Sequence, residues 1–342
     1  MTAPGDEFDR RLLSEMQRGV PLVRRPFAQL ADALGVDEAM VLARVEALRR
    51  AGRIREISGV FDCPALGYGQ TLAAMETPPD ALDRAGRIVA EHPGVSHCYS
   101  REGDLNLWYT LAVSPASRLG LDATAELLAR CCGAKRQLLL PTLRRYKLRV
   151  RFGDEGDDEP SESPPARACE PVSLNDEQRR IVRALQADLP ATSDAFAAPA
   201  AQAGLDADML LVHAADFLAA GWMRRYAAVL HHRAAGAAEN LLAAWRVDPA
   251  AADAAGAAAA QVRTVSHCYL RPGAADWPYS LYTMIHGASR DDCLTAVRQI
   301  ETLTGLQRPA LLWTGREYAK RRVRLFGDEE RAWERAHGGA GR

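Results

Sequence analysis

Apolar residues recur at helical spacing at Phe8, Leu12, Leu13 and Met16, and Val20-Pro21 closes the helix they predict. Pro26 stands where a first-turn proline is tolerated and opens a short second helix to about Leu34. Gly35 turns the chain, Asp37 is placed to cap, and Val41, Val45 and Leu48 predict a third helix that stops at Gly52. Ile54, Ile57 and Val60 then read as strand. Three short helices followed by a strand make a winged helix-turn-helix, expected over 1–56. Residues 173–223 repeat it in degenerate form, with Gly204-Leu205-Asp206 as the turn.

After each helical unit the pattern becomes mixed. Gln70–Met75 predicts a strand, Asp80–Glu91 a helix, Val95–Ser100 and Leu105–Val113 two strands, Ala123–Cys132 a helix and Gln137–Leu140 a last strand. That order, βαββαβ, is the ferredoxin-like arrangement. The second pass reads Ala237–Val247, His267–Arg271, Tyr279–His286, Cys293–Thr304 and Pro309–Trp313. The two βαββαβ domains are expected over 57–153 and 224–328, followed by a tail at 329–342. Residues 154–172 between the copies are acidic and rich in Pro and Ser, the composition of a solvated linker. The fold class is therefore α+β, with two tandem copies forming an internal pseudo-dimer.

A repeated pentapeptide makes the duplication explicit. Val95-Ser96-His97-Cys98-Tyr99 and Val265-Ser266-His267-Cys268-Tyr269 are identical, and each is followed after one residue by Arg, at Arg101 and Arg271. The segment 33–52 also aligns without gaps onto 202–221, bringing Gly35, Asp37 and Gly52 over Gly204, Asp206 and Gly221.

Composition narrows the partners. A chain of 342 residues with net charge −1 has no general attraction to nucleic acid or anionic membrane. The N-terminus is charged, and no apolar run is long enough for a spanning helix. Seven Cys without a C-x-x-C pair argue for reduced thiols in a cytoplasm and against a metal site. The recognition-helix segments begin with acidic residues, Asp37-Glu38 and Asp206, the reverse of what phosphate contact needs, so no DNA partner is expected. Arg44, Arg49 and Arg50 are the counter-evidence.

Helix-turn-helix plus βαββαβ is the layout of the Lrp/AsnC superfamily. Within it, Arg55–Asp62, Ala65-Leu66-Gly67-Tyr68 and Asn106–Leu111 resemble one half of siroheme decarboxylase. Arg224–Arg233, Val265–Arg271, Asp276-Trp277-Pro278-Tyr279 and Met284-Ile285-His286-Gly287 resemble its other half. The chain is thus similar to the fused NirD–NirL type of that family. The resemblance implies decarboxylation of the C12 and C18 acetates of sirohaem to 12,18-didecarboxysirohaem, in haem d1 or alternative haem biosynthesis. It implies sirohaem and related iron tetrapyrroles as ligands, with iron entering in the substrate and no separate cofactor or metal site. Further self-association, or association with other haem d1 pathway proteins, is compatible with the remaining sheet edges.

The candidate site residues follow from type and spacing. Arg225, His231, His232 and Arg233 form a cationic run suited to a carboxylate-rich ligand, although charge on an edge strand is also how such edges avoid aggregation. His267, Tyr269 and Arg271 alternate on one strand, and a hairpin could bring His286 to the same face. His267 is expected as general acid with His286 as partner, Arg225, Arg233 and Arg271 as carboxylate grips, and Trp277 and Tyr279 against the macrocycle. An imidazole ligating the iron is the open alternative. His97 and Arg101 take the matching places in the first copy, where Ala112 stands for His286 and most of the other cations are missing. That copy reads as a structural half that closes the pocket. Two other functions stay open at this point, an Lrp/AsnC-type transcription regulator and a tetrapyrrole carrier without chemistry.

Overall fold

The computed structural model describes residues 4–148, 171–230 and 239–337. The first copy opens with α1 (Pro4–Arg18), α2 (Pro26–Leu34), α3 (Glu38–Arg50) and β1 (Ile54–Phe61). It continues with β2 (Gly69–Glu76), α4 (Leu82–Glu91), β3 (Val95–Arg101), β4 (Leu107–Val113), α5 (Gly120–Cys132), β5 (Arg136–Leu140) and β6 (Arg144–Leu148). The second copy repeats the helical part as α6 (Asp176–Leu185), α7 (Ala197–Ala203), α8 (Ala207–Ala219) and β7 (Met223–Leu230). It then adds β8 (Glu239–Trp245), α9 (Ala252–Gln261), β9 (Val265–Leu270), β10 (Leu281–Gly287), α10 (Arg290–Thr304) and β11 (Ala310–Lys320), and α11 (Glu329–His337) follows. These elements make two compact units, each built from both copies.

The first unit holds the two helix-turn-helix modules. Gly35 and Gly204 end α2 and α7 in the left-handed conformation, at φ 71° and 76°, which a side chain with a Cβ adopts only at a cost. Asp206 caps α8 by accepting from Met209 N–H, whereas Asp37, which the sequence places as a cap, makes no such bond. Strands β1 and β7 pair with each other antiparallel, Gly59 opposite Tyr226 and Val60 opposite Arg225. The pairing is reciprocal beyond the strands. Val20 N–H donates to Tyr226 O at 2.7 Å and Leu189 N–H to Ile57 O at 2.8 Å. The helical unit of the first copy extends to Gly67, because each wing strand finds its hydrogen-bond partner in the other wing. The predicted linker lies almost wholly outside the described residues.

The second unit holds the βαββαβ halves in the strand order β5-β2-β4-β3-β11-β8-β10-β9-β6. Helices α4 and α5 cover one face of the first half over Val89, Tyr109 and Leu128. Helices α9 and α10 cover the second half over Trp245, Ile285 and Ile300. Alternation along the strands sends Trp108, Leu140, Leu242, Ala244, Tyr282 and Leu312 to the opposite face, where both copies share a third cluster. The internal pseudo-dimer is thus present, and its halves are joined by strand exchange. The last strand was expected to stop at Trp313 but runs to Lys320, leaving β8 at that point to pair with β3 of the first copy. Reciprocally, the first copy passes Pro141, which lacks an N–H for the ladder, and sends β6 to β9 of the second. Each exchange covers an edge that would otherwise expose unpaired backbone groups.

Among the described residues no helix is long and apolar enough to cross a membrane. The described cysteines are free thiols, and no group of His, Cys, Asp and Glu among these residues is arranged to hold a metal ion.

Candidate functional site

In β9, Cys268 points into the helix-side core, so His267 and Tyr269 face the shared inner side. Met284 of β10 stands opposite His267 and Tyr282 opposite Tyr269, with His286 two residues further along that face. The predicted hairpin therefore brings both imidazoles to one face. On its other side β9 meets exchanged β6, which sets Leu148 opposite His267 and Arg145 opposite Tyr269. In the first copy Thr110 and Lys320 flank His97 in the same way. Identical pentapeptides thus sit between different neighbours, apolar around His267 and polar around His97.

Both pentapeptides contain a slip in register, between Val265 and His267 and between Val95 and His97. On a regular strand adjacent side chains point to opposite faces. The slip turns Ser266 beside His267, with Ser266 Oγ 2.7 Å from His267 Nδ1, and Ser96 beside His97 at 3.0 Å.

His267 is half-buried, and burial, then the charges of His286 and His97, push its pKa down to about 4. The same interactions place His286 and His97 each within electrostatic reach of His267, and His97 comes from the other copy. With no anion beside it His267 is neutral at pH 7. A carboxylate in the site reverses the balance, since an opposite charge nearby favours the imidazolium.

Arg101 and Arg271 are almost fully buried. Arg271 Nη1 donates to Leu140 O, and Arg101 Nη1 donates at 2.9 Å to Leu312 O and Thr314 Oγ1. Each guanidinium therefore ties its own copy to the other, by the same bond on either side of the pseudo-dyad. Arg271 also lies 5.0 Å from the Tyr269 ring centroid. Burial pushes Arg101 down to about 10 and Arg271 down also, and a guanidinium keeps its proton in proteins at neutral pH. Neither has an acidic partner among the described residues, and both Nε atoms lack a hydrogen-bond acceptor. Arg271, expected as a carboxylate grip, is a buried cation whose hydrogen bond to Leu140 O also serves the exchange. An anionic ligand nearby would offset part of its desolvation.

Trp277 and Tyr279 were expected to lie against a macrocycle. They are half-buried against the inner cluster, with Trp277 Nε1 donating to Tyr282 Oη at 2.8 Å and Trp277 tilted 5.9 Å from Trp108. Arg136 of the first copy pins the preceding Asp276 through an ion pair at 2.8 Å. This segment thus spans from the second copy onto the first. Arg225 is half-buried on β7, in the helical unit, while Arg224 beside it is taken by Asp62 at 2.6 Å. His231, His232 and Arg233 lie outside the described residues.

The arginines that could argue for DNA contact are largely committed. Arg44 pairs with buried Asp9, and Arg49 pairs with Glu46 and Asp188, each at 2.9 Å.

Sequence reasoning missed Ser96, Ser266 and Thr110, because a register slip has no local signature. It also missed β6 and the extension of β11. A signal for these existed in a second repeat, Arg144-x-Tyr146 and Arg316-x-Tyr318, matched by Asp83-x-x-Gly86 and Asp253-x-x-Gly256.

Comparison with known proteins agrees with the arrangement. Residues 9–55 match the siroheme decarboxylase NirDL-like HTH domain, and 65–147 and 234–319 match the AsnC-like ligand binding domain. The siroheme decarboxylase of Hydrogenobacter thermophilus is 33% identical over 96% of this chain and 98% of its own length. The siroheme decarboxylase NirDL subunit of Paracoccus denitrificans is 33% identical over 88% of this chain and 91% of its own. A crystal structure of the siroheme decarboxylase NirDL in complex with an iron-uroporphyrin III analogue is 28% identical. It superposes with a TM-score of 0.81, covering 97% of this chain and 99% of that one.

Proposed function

The chain belongs to the siroheme decarboxylase family, and we propose that it removes the C12 and C18 acetate carboxyls of sirohaem, giving 12,18-didecarboxysirohaem and carbon dioxide. Each event breaks one CH2–carboxylate bond, releases carbon dioxide and consumes one proton, leaving a methyl group. Electrons balance without an oxidant or reductant, and iron arrives with the substrate. The observation that carries this reading is the placement of His267 and His286 on one sheet face with His97 in electrostatic reach of His267, together with two buried guanidiniums that have no acidic partner among the described residues.

Protonating the ring carbon next to the one that bears the acetate turns the ring into a sink for the electron pair left when carbon dioxide departs. The exocyclic methylene formed then takes up a proton and the ring carbon loses its own, for a net gain of one proton and a methyl group. His267 is the proposed donor. Its low pKa keeps its own ring uncharged in the empty site, and the substrate's own carboxylates raise its proton affinity as they bind. Proton delivery is thereby coupled to occupancy. His286 stands beside His267, and Arg271 lies on the same strand, its charge favouring the carboxylate form that must be lost. Arg225, His231, His232 and Arg233 are proposed to hold peripheral carboxylates, and Trp277 and Tyr279 to bound the pocket.

Anaerobic incubation of the purified protein with sirohaem, followed by mass spectrometry of the extracted tetrapyrrole, tests the reading. The expected product is lighter by two carbon dioxide units. Bound but unchanged sirohaem would overturn it in favour of a carrier.

A further inference from the structure

We propose that the two identical pentapeptides hold their histidines in opposite neutral tautomers, with His267 protonated on Nδ1 and His97 protonated on Nε2, set by what each serine meets on the neighbouring strand. The role of these tautomers rests on the decarboxylase reading. The tautomers themselves do not.

The assignment follows from counting protons along each chain of hydrogen bonds. In the second copy Ser266 Oγ lies 3.3 Å from Met284 O and 2.7 Å from His267 Nδ1. A carbonyl only accepts, so the single hydroxyl proton of Ser266 goes to Met284 O. Ser266 must then accept from His267, which requires a proton on Nδ1 and leaves the Nε2 lone pair facing away from the serine. In the first copy the residue opposite the histidine is Thr110, and its hydroxyl replaces the carbonyl as the partner of the serine. Thr110 Oγ1 lies 2.5 Å from Ser96 Oγ and accepts from His97 N–H at 3.1 Å. Among the described residues Thr110 has no acceptor for its own proton except Ser96. Ser96 then passes its proton to His97 Nδ1 at 3.0 Å, and the ring carries hydrogen on Nε2. The opposite assignment would leave the Thr110 hydroxyl proton without an acceptor among the described residues.

The consequence is a division of labour between copies that share a sequence. His97 offers an N–H that can hold a carboxylate by a hydrogen bond without changing charge. His267 offers a lone pair that takes up a proton when anionic substrate arrives and returns it to carbon. Ser266 acts through His267 and is a positioning residue. The register slips make this possible, because only there can a serine touch the histidine next to it.

Protein labelled with 15N in the histidine rings, free of substrate at pH 7.5, reports the tautomers directly in long-range 1H–15N correlation spectra. His267→Gln and His97→Gln identify the two ring systems by loss of signals. The expected result is an unprotonated Nε2 in His267 and an unprotonated Nδ1 in His97. The same tautomer in both rings, or an imidazolium in either, overturns the proposal whatever the activity. Ser266→Ala should leave His267 a mixture of tautomers and lower kcat roughly tenfold with KM little changed, and Thr110→Val should do the same to the His97 spectrum alone. Unchanged His267 tautomer in Ser266→Ala also overturns it.

Discussion

The ring of Tyr318, carried by β11 of the second copy, lies against Gly86 in α4 of the first, so that a Cβ on Gly86 would come within 2.5 Å of it. Tyr146, carried by β6 of the first copy, covers Gly256 in α9 of the second at 2.2 Å by the same measure. Each tyrosine then donates to an aspartate one turn earlier on that helix, Tyr318 to Asp83 and Tyr146 to Asp253, both at 2.7 Å. Arg316 and Arg144 pair with the same two aspartates. The exchange of strands is therefore clasped twice by one device, and the device needs glycine on the helix.

Gly86→Ala and Gly256→Ala should each push a tethered ring off its helix and destabilise the protein by about 1–3 kcal/mol. Urea denaturation should show lower midpoints with unchanged slope. Tyr318→Phe should cost less, since the ring stays and the lost bond is exposed. Wild-type midpoints in both glycine variants would show that the strands are not held this way.

His267→Ala should reduce sirohaem decarboxylation by about 10²–10⁴-fold, the usual cost of losing a general acid. Tetrapyrrole binding should largely persist, because the arginines remain. His97→Ala removes a hydrogen bond to carboxylate and should act more on KM and less on kcat. Endpoint assays and absorption titrations with sirohaem separate the two effects. An active His267→Ala beside an inactive His97→Ala would place the chemistry in the first copy.

Stability should depend on pH through groups of opposite sign, His92 and His267 on the acid side and Glu330 against them. His92 is fully buried, stands 4.3 Å from the Trp333 ring and accepts from Gly94 N–H, and burial pushes it down to about 4. The unfolded chain binds that proton from about pH 6.5 downward, so stability falls as pH drops from 6.5 to 4, by up to about 3 kcal/mol. Glu330 on α11 accepts from Ser114 N–H at 3.0 Å, and burial, with Glu334 nearby, raises it to about 7. There the folded state binds the extra proton, so its contribution is present below the unfolded carboxylate pKa and is lost as pH rises through 7. Denaturation midpoints should peak between these limits. His92→Gln should make the acid side shallower, with His267 carrying the remaining slope, and Glu330→Gln should flatten the alkaline side by about 1 kcal/mol, discounted because Glu330 is half-buried. An alkaline limb unchanged in Glu330→Gln would contradict the assignment.

The layout was legible because duplication repeats its punctuation. Gly35 and Gly204, Gly52 and Gly221, and the two pentapeptides mark the same turns and strands twice. What escaped were relations between the copies. Nothing local in Ile54–Phe61 says that its ladder partner is Met223–Leu230, nor in Arg144–Leu148 that it pairs with β9. Alternation along the strands was enough to place His267 and His286 on one face. Burial was not legible: residue type alone does not show that Arg101 and Arg271 are enclosed and hydrogen-bonded to Leu312 O and Leu140 O.

The proposed reaction replaces two carboxylates by two protons without net oxidation. Anaerobic turnover of sirohaem in deuterated water, read by high-resolution mass spectrometry and proton NMR of the product, follows both exchanges at once. The expected product has lost two carbon dioxide units and carries one deuterium in each of two new methyl groups, at C12 and C18. Vinyl groups at those carbons, methyl groups without solvent deuterium, or unchanged sirohaem would rule the reaction out.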